Sequence, residues 1–287
     1  MGLPRELWYL RHAESERNQA RELLKNAGTR AEKRRALLLL QQILNKPSSA
    51  AELSSLGVEQ CKLTDAWFRT NGVTFDRYYT SSHIRAKQTA GLLNFPKAGW
   101  IVDNNIRERS IGEMEEMDPK ERLRYLRKWR NQGHVLDLFN FRPGRGESFA
   151  DVTDIRWPLF VSELERDCRP KDKVLVVNHG DNMWAARCFH EGWTPQDFVQ
   201  NRGEESYIKI PNCMILRYTR QNPKNPKQVL PDFGWFQTFC PAAGEEPGEW
   251  SLVERKKFTA DELLVQVDQQ ITSVKNLLRK GKLKRVA

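Results

Sequence analysis

The chain opens on an apolar run, Leu7-Trp8-Tyr9-Leu10, short enough for a buried strand. Two more runs of this kind follow much later. Val174-Leu175-Val176-Val177 stops at Asn178-His179-Gly180, and Met214-Ile215-Leu216 leads into Arg217-Tyr218. Residues 75–80 and 100–102 are rich in aromatic and β-branched types and read as strands as well. Helical pattern fills the gaps. Residues 18–45 hold mostly Ala, Leu, Lys, Arg and Glu, with Gly28 dividing them into two helices. Further helices are expected over 56–67, 84–93, 119–129 (opened by Pro119), 152–166 and 183–190. Pro158 fits inside the fourth of these, 152–166, only at a kink. Strands that alternate with helices predict an α/β fold, a three-layer sandwich with a mostly parallel central sheet and helices on both faces.

The pattern changes after residue 218. Residues 219–250 hold five prolines and little helical period, so they read as loop or short hairpin. A C-terminal amphipathic helix follows. Thr259 with Glu262 makes a capping box, and Leu263, Val267, Ile271, Val274 and Leu278 form one apolar stripe. That stripe is expected to pack on the main domain. Its alternative is a helix that meets a partner, and a homodimer would use it. Lys280 to Arg285 reads as a frayed basic end. The domain reading is therefore a catalytic domain over 1–257, carrying a basic helical insertion at 19–50 and the proline-rich loop region at 219–250, then the helix and basic tail of 258–287.

Composition narrows the classes. In 287 residues, 39% hydrophobic content supports a real core, and no apolar run reaches the length of a membrane span. Five widely spaced cysteines without a C-x-x-C pair argue against a disulfide scaffold or zinc site. They also argue for a reducing compartment, and no secretory leader is evident, so the expectation is a cytoplasmic protein without a membrane partner. Net charge is +10, concentrated in 17–46 (+6) and 258–287 (+3). Such a field suits anionic partners. No nucleic-acid motif accompanies it, so a phosphorylated substrate is expected rather than RNA or DNA, with solvated helix faces as the plain alternative.

Arg11-His12 follows one buried strand and Asn178-His179-Gly180 follows another. Ligands of open α/β sheets bind at the carboxyl ends of strands, so the two histidines could share one site. The arginine fork matches phosphate oxygens, and a neutral imidazole can attack phosphorus. Spacing alone leaves these histidines open to a structural reading.

Leu10-Arg11-His12-Ala13-Glu14-Ser15-Glu16-Arg17-Asn18 resembles the signature of the histidine phosphatase superfamily, which includes the cofactor-dependent phosphoglycerate mutases. In the family's order follow Leu53-Ser54-Ser55-Leu56-Gly57, Thr80-Ser81-Ser82-His83-Ile84-Arg85-Ala86, Ile106-Arg107-Glu108-Arg109, Gly146-Glu147-Ser148 and the 174–180 segment. The resemblance covers about residues 5–218. It implies His12 as the nucleophile that becomes a phosphohistidine, with Arg11, Arg85 and His179 on the phosphoryl oxygens and Asn18 as a further donor. It implies Glu108 as the acid that protonates the leaving oxygen and later activates water, with no metal and no cofactor. Glu113, Glu115 and Glu116 compete with Glu108 for that role, and Ser15 could be a helix-start residue only. His83 could reach the phosphate but is expected to be a surface histidine, His134 and His190 carry no role, and Met183 and Trp184 read as core. Two departures stand out. Ala13 replaces a usual glycine, which restricts the backbone, and Ser82-His83 replaces a common proline–leucine pair.

The resemblance implies a metal-independent phosphomonoester hydrolase acting on a small molecule or phosphoprotein. Residues 142–148 resemble the turn of the phosphatase branch. A mutase-type phosphotransferase, a non-catalytic phosphate-binding protein and a nucleic-acid role for the basic segments are the rivals. The 19–50 insertion could form a lid that selects substrate.

Overall fold

The computed structural model describes residues 2–115, 117, 119–131, 138–202 and 210–279. His134, Glu116 and the basic end at 280–285 lie outside them. In chain order the elements begin with β1 (Glu6–Arg11), α1 (Glu16–Asn26), α2 (Arg30–Leu44), α3 (Ser55–Thr70), β2 (Arg77–Ser81), α4 (Ile84–Leu92) and β3 (Trp100–Asp103). The middle contains α5 (Pro119–Asn131), α6 (Trp157–Asp167), β4 (Lys173–Asn178), α7 (Gly180–Glu191) and α8 (Pro195–Arg202). The chain ends with β5 (Ile215–Thr219), β6 (Gln221–Asn222), β7 (Asn225–Val229), β8 (Trp235–Phe239), β9 (Ser251–Leu252) and α9 (Ala260–Arg279).

Seven strands form one sheet in the order β3-β2-β4-β1-β5-β8-β9. The first four are mutually parallel, and β5, β8 and β9 add on antiparallel. β1 sits in the middle, its Leu10 paired with Val177 on one side and Ile215 on the other. A strand covered on both faces must be apolar throughout, which is why Leu7-Trp8-Tyr9-Leu10 shows no alternation. Leu7 and Tyr9 face a layer built from α6, α7 and α8 with Trp157, Phe160, Trp184 and Phe198. Trp8 and Leu10 face α3 and α4 with Cys61, Phe68, Ala86 and Ala90. This is the three-layer sandwich that the alternation of elements predicts.

Three local expectations change. The proline-rich stretch holds the short hairpin β6–β7, but Trp235–Phe239 also joins the main sheet. Its apolar residues, Trp235, Phe236 and Phe239, lie in a short span between loops and carry no long period. Pro158 is accommodated by a π-helical turn at Asp151–Arg156 followed directly by α6, which puts the proline in the first turn. The C-terminal stripe does not pack on the domain: Leu263 is 50% exposed, Val267 48% and Ile271 45%. The capping box of that helix is present, with the Glu262 carboxylate accepting from the Thr259 N–H at 2.7 Å.

The basic insertion is a helical hairpin. Gly28 and the Thr29 cap separate α1 from α2, and Ala20, Leu40 and Ile43 give the pair a small core of its own. Ala13 is tolerated because its φ is not positive. Its methyl group is buried in the layer beneath α3 and α4, and its N–H donates to the Thr89 hydroxyl at 3.1 Å.

Candidate active site

The carboxyl ends of β1, β2 and β4 meet at one cavity of about 250 Å³. Arg11, His12, Asn18, Arg85 and Glu108 all line it, and Gly180 brings the start of α7 to its wall. His179 is the cap residue of α7 and lies directly behind. Its ring centroid is 5.0 Å from that of His12.

His12 is held in one tautomer by its neighbours. Its Nδ1 lies 2.7 Å from the Ala13 carbonyl, which can only accept, so Nδ1 carries the proton. Nε2 then has a lone pair, and it accepts from the Nε–H of Arg85 at 3.0 Å. Burial, then the charges of Arg85 and Arg11, push the imidazole well below its usual range and keep it neutral near pH 7. The backbone around it is pinned too. The His12 N–H donates to Asn178 O at 2.9 Å, and the Asn212 amide donates to His12 O at 2.8 Å.

His179 is fixed by Ser81. The Ser81 hydroxyl oxygen accepts the His83 N–H at 3.2 Å and lies 2.7 Å from His179 Nε2. His179 Nδ1 is buried and has no hydrogen-bond partner among the described residues. His83 is half-buried, not a surface histidine. Its ring centroid lies 4.9 Å from that of His179, and burial with nearby Arg85 pulls its pKa to about 3.

Arg11 lies over Gly180 and donates to the Ile210 carbonyl. Arg85 donates from Nη1 to Ser48 O at 2.6 Å. Arg17, buried and on the same wall, donates to Lys46 O. The loop that ends the helical hairpin is thus tied to two arginines of the cavity. Asn18 has a double position. It is the third residue of α1, where its Oδ1 accepts from the Ser15 N–H and hydroxyl, and it also lines the cavity. With that oxygen occupied, its NH₂ is what it can offer a ligand. Ser15 is the helix cap.

Glu108 stands on the loop after β3. Burial, then the negative charge of Asp181, raises its carboxyl above the usual value, opposed by Arg85 and Arg11. Asp181 is itself clamped by Arg109 at 2.8 Å and Arg202 at 2.7 Å, and both guanidinium groups lie over the Phe149 ring. Glu147 holds the Glu108 loop in place by accepting from Arg107 at 2.6 Å, Arg156 at 3.1 Å and the Ser110 N–H at 2.9 Å. Glu115 also lines the cavity, next to Arg17, whereas Glu113 lies against Gly144 and Arg145. Trp184 is core and cavity wall at once.

Sequence reasoning therefore brought together the residues that do meet, and it missed Arg17, Ser81, Arg109 and Asp181. Asp181 follows His179-Gly180 directly, so a strand-end reading could have reached it. Nothing local marks Ser81 as the partner of His179.

The arrangement offers a neutral nucleophilic imidazole, flanking cations for an anion's oxygens and a carboxyl group held toward its acid form. A model of the histidine phosphatase superfamily (branch 1) matches residues 41–222, and the chain belongs to that superfamily. The 2,3-bisphosphoglycerate-dependent phosphoglycerate mutase of Rhizobium etli is 30% identical over 138 residues, 46% of this chain and 64% of that protein. The chain thus matches a little under two thirds of that relative's length. A protein of the same name from Methylobacterium is 25% identical over 184 residues, 62% of this chain and 85% of the relative. Among solved structures, a mycobacterial glucosyl-3-phosphoglycerate phosphatase superposes with a TM-score of 0.55 at 20% identity, covering 75% of this chain and 92% of that one. A phosphoserine phosphatase from Entamoeba histolytica gives 0.53 at 17% identity, over 79% and 95%. At these identities the likeness is one of fold. No helix among the described residues is long and apolar enough to cross a membrane.

Proposed function

We propose that this protein hydrolyses phosphate monoesters through a phosphohistidine at His12, without a metal ion. The observation that carries this reading is the state of His12: protonated at Nδ1, neutral, and presenting Nε2 to the same cavity as Arg11, Arg85 and Glu108. Nε2 attacks phosphorus as the ester oxygen leaves. Arg11, Arg85 and His179 take the charge on the equatorial oxygens, and the NH₂ of Asn18 adds a donor. Such transfer asks the protein chiefly for position and charge stabilisation. Glu108, in its acid form, protonates the leaving oxygen. As carboxylate it then takes a proton from the water that attacks the phosphohistidine, which returns His12 to its starting state.

Hydrolysis needs water at the intermediate. The cavity shares Arg17, Ser48, Glu108 and Arg109 with an adjoining cleft of about 510 Å³, which supplies a route for it. The cleft also leaves room for a small anionic ester or a phosphorylated side chain. The names of the sequence relatives favour a second reading, a mutase that returns the phosphoryl group to a bound acceptor. The deciding experiment is phosphate release from a panel of esters by wild type and His12→Ala, with and without a chelator. Chelator-resistant release that vanishes in the variant supports hydrolysis. No release, but isomerisation primed by a bisphosphorylated glycerate, overturns it in favour of the mutase.

A further inference from the structure

α9 exposes the side of itself that its sequence makes apolar. Leu264 is 64% exposed, Val267 48% and Ile271 45%, and none of residues 261–269 is buried. A helix containing Val265, Val267, Ile271, Thr272 and Val274 has modest intrinsic propensity, and helices in water draw most of their stability from packing one face. The spacing says what kind of face this is. Ala260, Leu264, Val267, Ile271, Val274 and Leu278 recur at alternating intervals of four and three residues. That is the seam of a helix that packs along another helix.

Charge selects the occupant. Asp261, Glu262 and Asp268 fall in the first half of α9, and Lys275 and Arg279 in the second. A helix lying on a membrane surface carries cations along its polar face, which this acidic first half contradicts. A second α9 running the opposite way sets each acidic half against a basic half, and it aligns the two helix dipoles head to tail.

We infer that α9 pairs antiparallel with α9 of a second copy, making the chain a two-fold dimer. With the two-fold axis between Val267 and Ile271, Val267 layers against Ile271 of the second copy on both sides of the axis. Asp261 faces Lys275 of the second copy, twice by symmetry. Asp268 meets its own counterpart, the single like-charge contact of the seam. The inference is independent of the catalytic reading.

Sedimentation of the full chain over a wide concentration range tests it. Wild type is expected to show a monomer–dimer equilibrium, and Ile271→Asp to stay monomeric with the thermal melting of the main domain unchanged. Asp261→Lys should weaken the dimer about tenfold, roughly 1.4 kcal/mol, and adding Lys275→Asp should restore it. Asp268→Asn should tighten it by relieving the central repulsion. A monomer at every concentration overturns the inference, as does a dimer that survives Ile271→Asp. A charge swap that fails to rescue overturns the antiparallel arrangement. A dimer abolished instead by Leu38→Asp, on the open apolar groove between α1 and α2, would show that α9 docks there and not on its counterpart.

Discussion

The Nε–H of Arg85 caps Nε2 of His12 at 3.0 Å, so the free site stores its nucleophilic lone pair under a cation. In the proposed mechanism, a phosphoryl group entering the cavity offers the guanidinium fork better acceptors, and the lone pair is released where phosphorus arrives. Burial and, after it, the charge of the same guanidinium keep the imidazole neutral. Arg85→Gln is therefore expected to act twice. Losing one charged donor to the transition state should lower kcat by about 10²–10³-fold. Removing its charge should also raise the pKa of His12, moving the acid limb of kcat/KM to higher pH. A pH–rate profile with a chromogenic phosphate ester reads both. A fall in rate with an unmoved acid limb would mean that Arg85 touches substrate without tuning His12.

In the proposed mechanism the alkaline limb belongs to Glu108. Its raised pKa keeps the acid form available, and activity is expected to fall as pH rises through that value. Asp181 contributes to the shift by charge repulsion. Asp181→Asn should lower the Glu108 pKa and move the alkaline limb to lower pH, all the more because Arg109 and Arg202 lose their shared partner. Glu108→Gln should abolish the limb together with most turnover of esters that have poor leaving groups. Esters with good leaving groups should be spared in the first step. A chromogenic and an alkyl phosphate assayed side by side separate these outcomes.

Gly57 lies in the first turn of α3, against the loop that carries the nucleophile. A Cβ there would sit 2.0 Å from the Glu14 carbonyl oxygen, a backbone atom that cannot swing aside. Gly57→Ala is expected to destabilise the fold by about 1–3 kcal/mol, the usual range for overpacking. It should also lower kcat, because Glu14 is two residues from His12. Denaturant unfolding and steady-state kinetics check the pair of effects. Loss of stability alone would show that the loop yields without moving the imidazole.

How much of this was legible in the sequence depends on how local each signal is. Leu7-Trp8-Tyr9-Leu10 and Val174-Leu175-Val176-Val177 announce central strands because both faces of each are covered, and the residues that follow them had to fall at one edge of the sheet. Arg11, His12 and His179 were readable for that reason, and Arg85 and Glu108 through ordered resemblance. β8 was not, since an antiparallel strand of five residues between prolines looks like loop until β5 pairs with it. His83 was misplaced because the ring it packs against, His179, is distant in sequence. The stripe of α9 was read correctly as apolar, but periodicity states only that a face wants cover, not where the cover comes from.

His190 gives the protein a pH-dependent stability separate from the site. It is buried against Trp157 and Tyr218, with its Nε2 2.7 Å from the Tyr9 hydroxyl. Burial pulls its pKa to about 3. An unfolded chain takes up this proton near pH 6.5, whereas the folded chain does not until about pH 3. The unfolded state thus binds more protons across that window, and stability falls with pH by up to about 1.4 kcal/mol per unit from this one group. Denaturant midpoints between pH 7 and pH 5 should decline, and His190→Gln should flatten the decline by one proton's worth. An unchanged slope in the variant would assign it to the other buried histidines.

The central position of β1 also has a cost in time. The strand that delivers Arg11 and His12 precedes the other strands of the sheet in the chain, yet its neighbours are β4 and β5, and Glu6 cannot find Lys173 until the residues up to β4 exist. At bacterial-to-eukaryotic elongation speeds this is a wait on the order of ten to thirty seconds. Throughout it, Leu7-Trp8-Tyr9-Leu10 is an unpaired apolar ribbon, exposed to any sticky surface it meets. The cavity therefore cannot close before β4 is made, and the segment exposed during that wait is the one that the finished fold buries most completely.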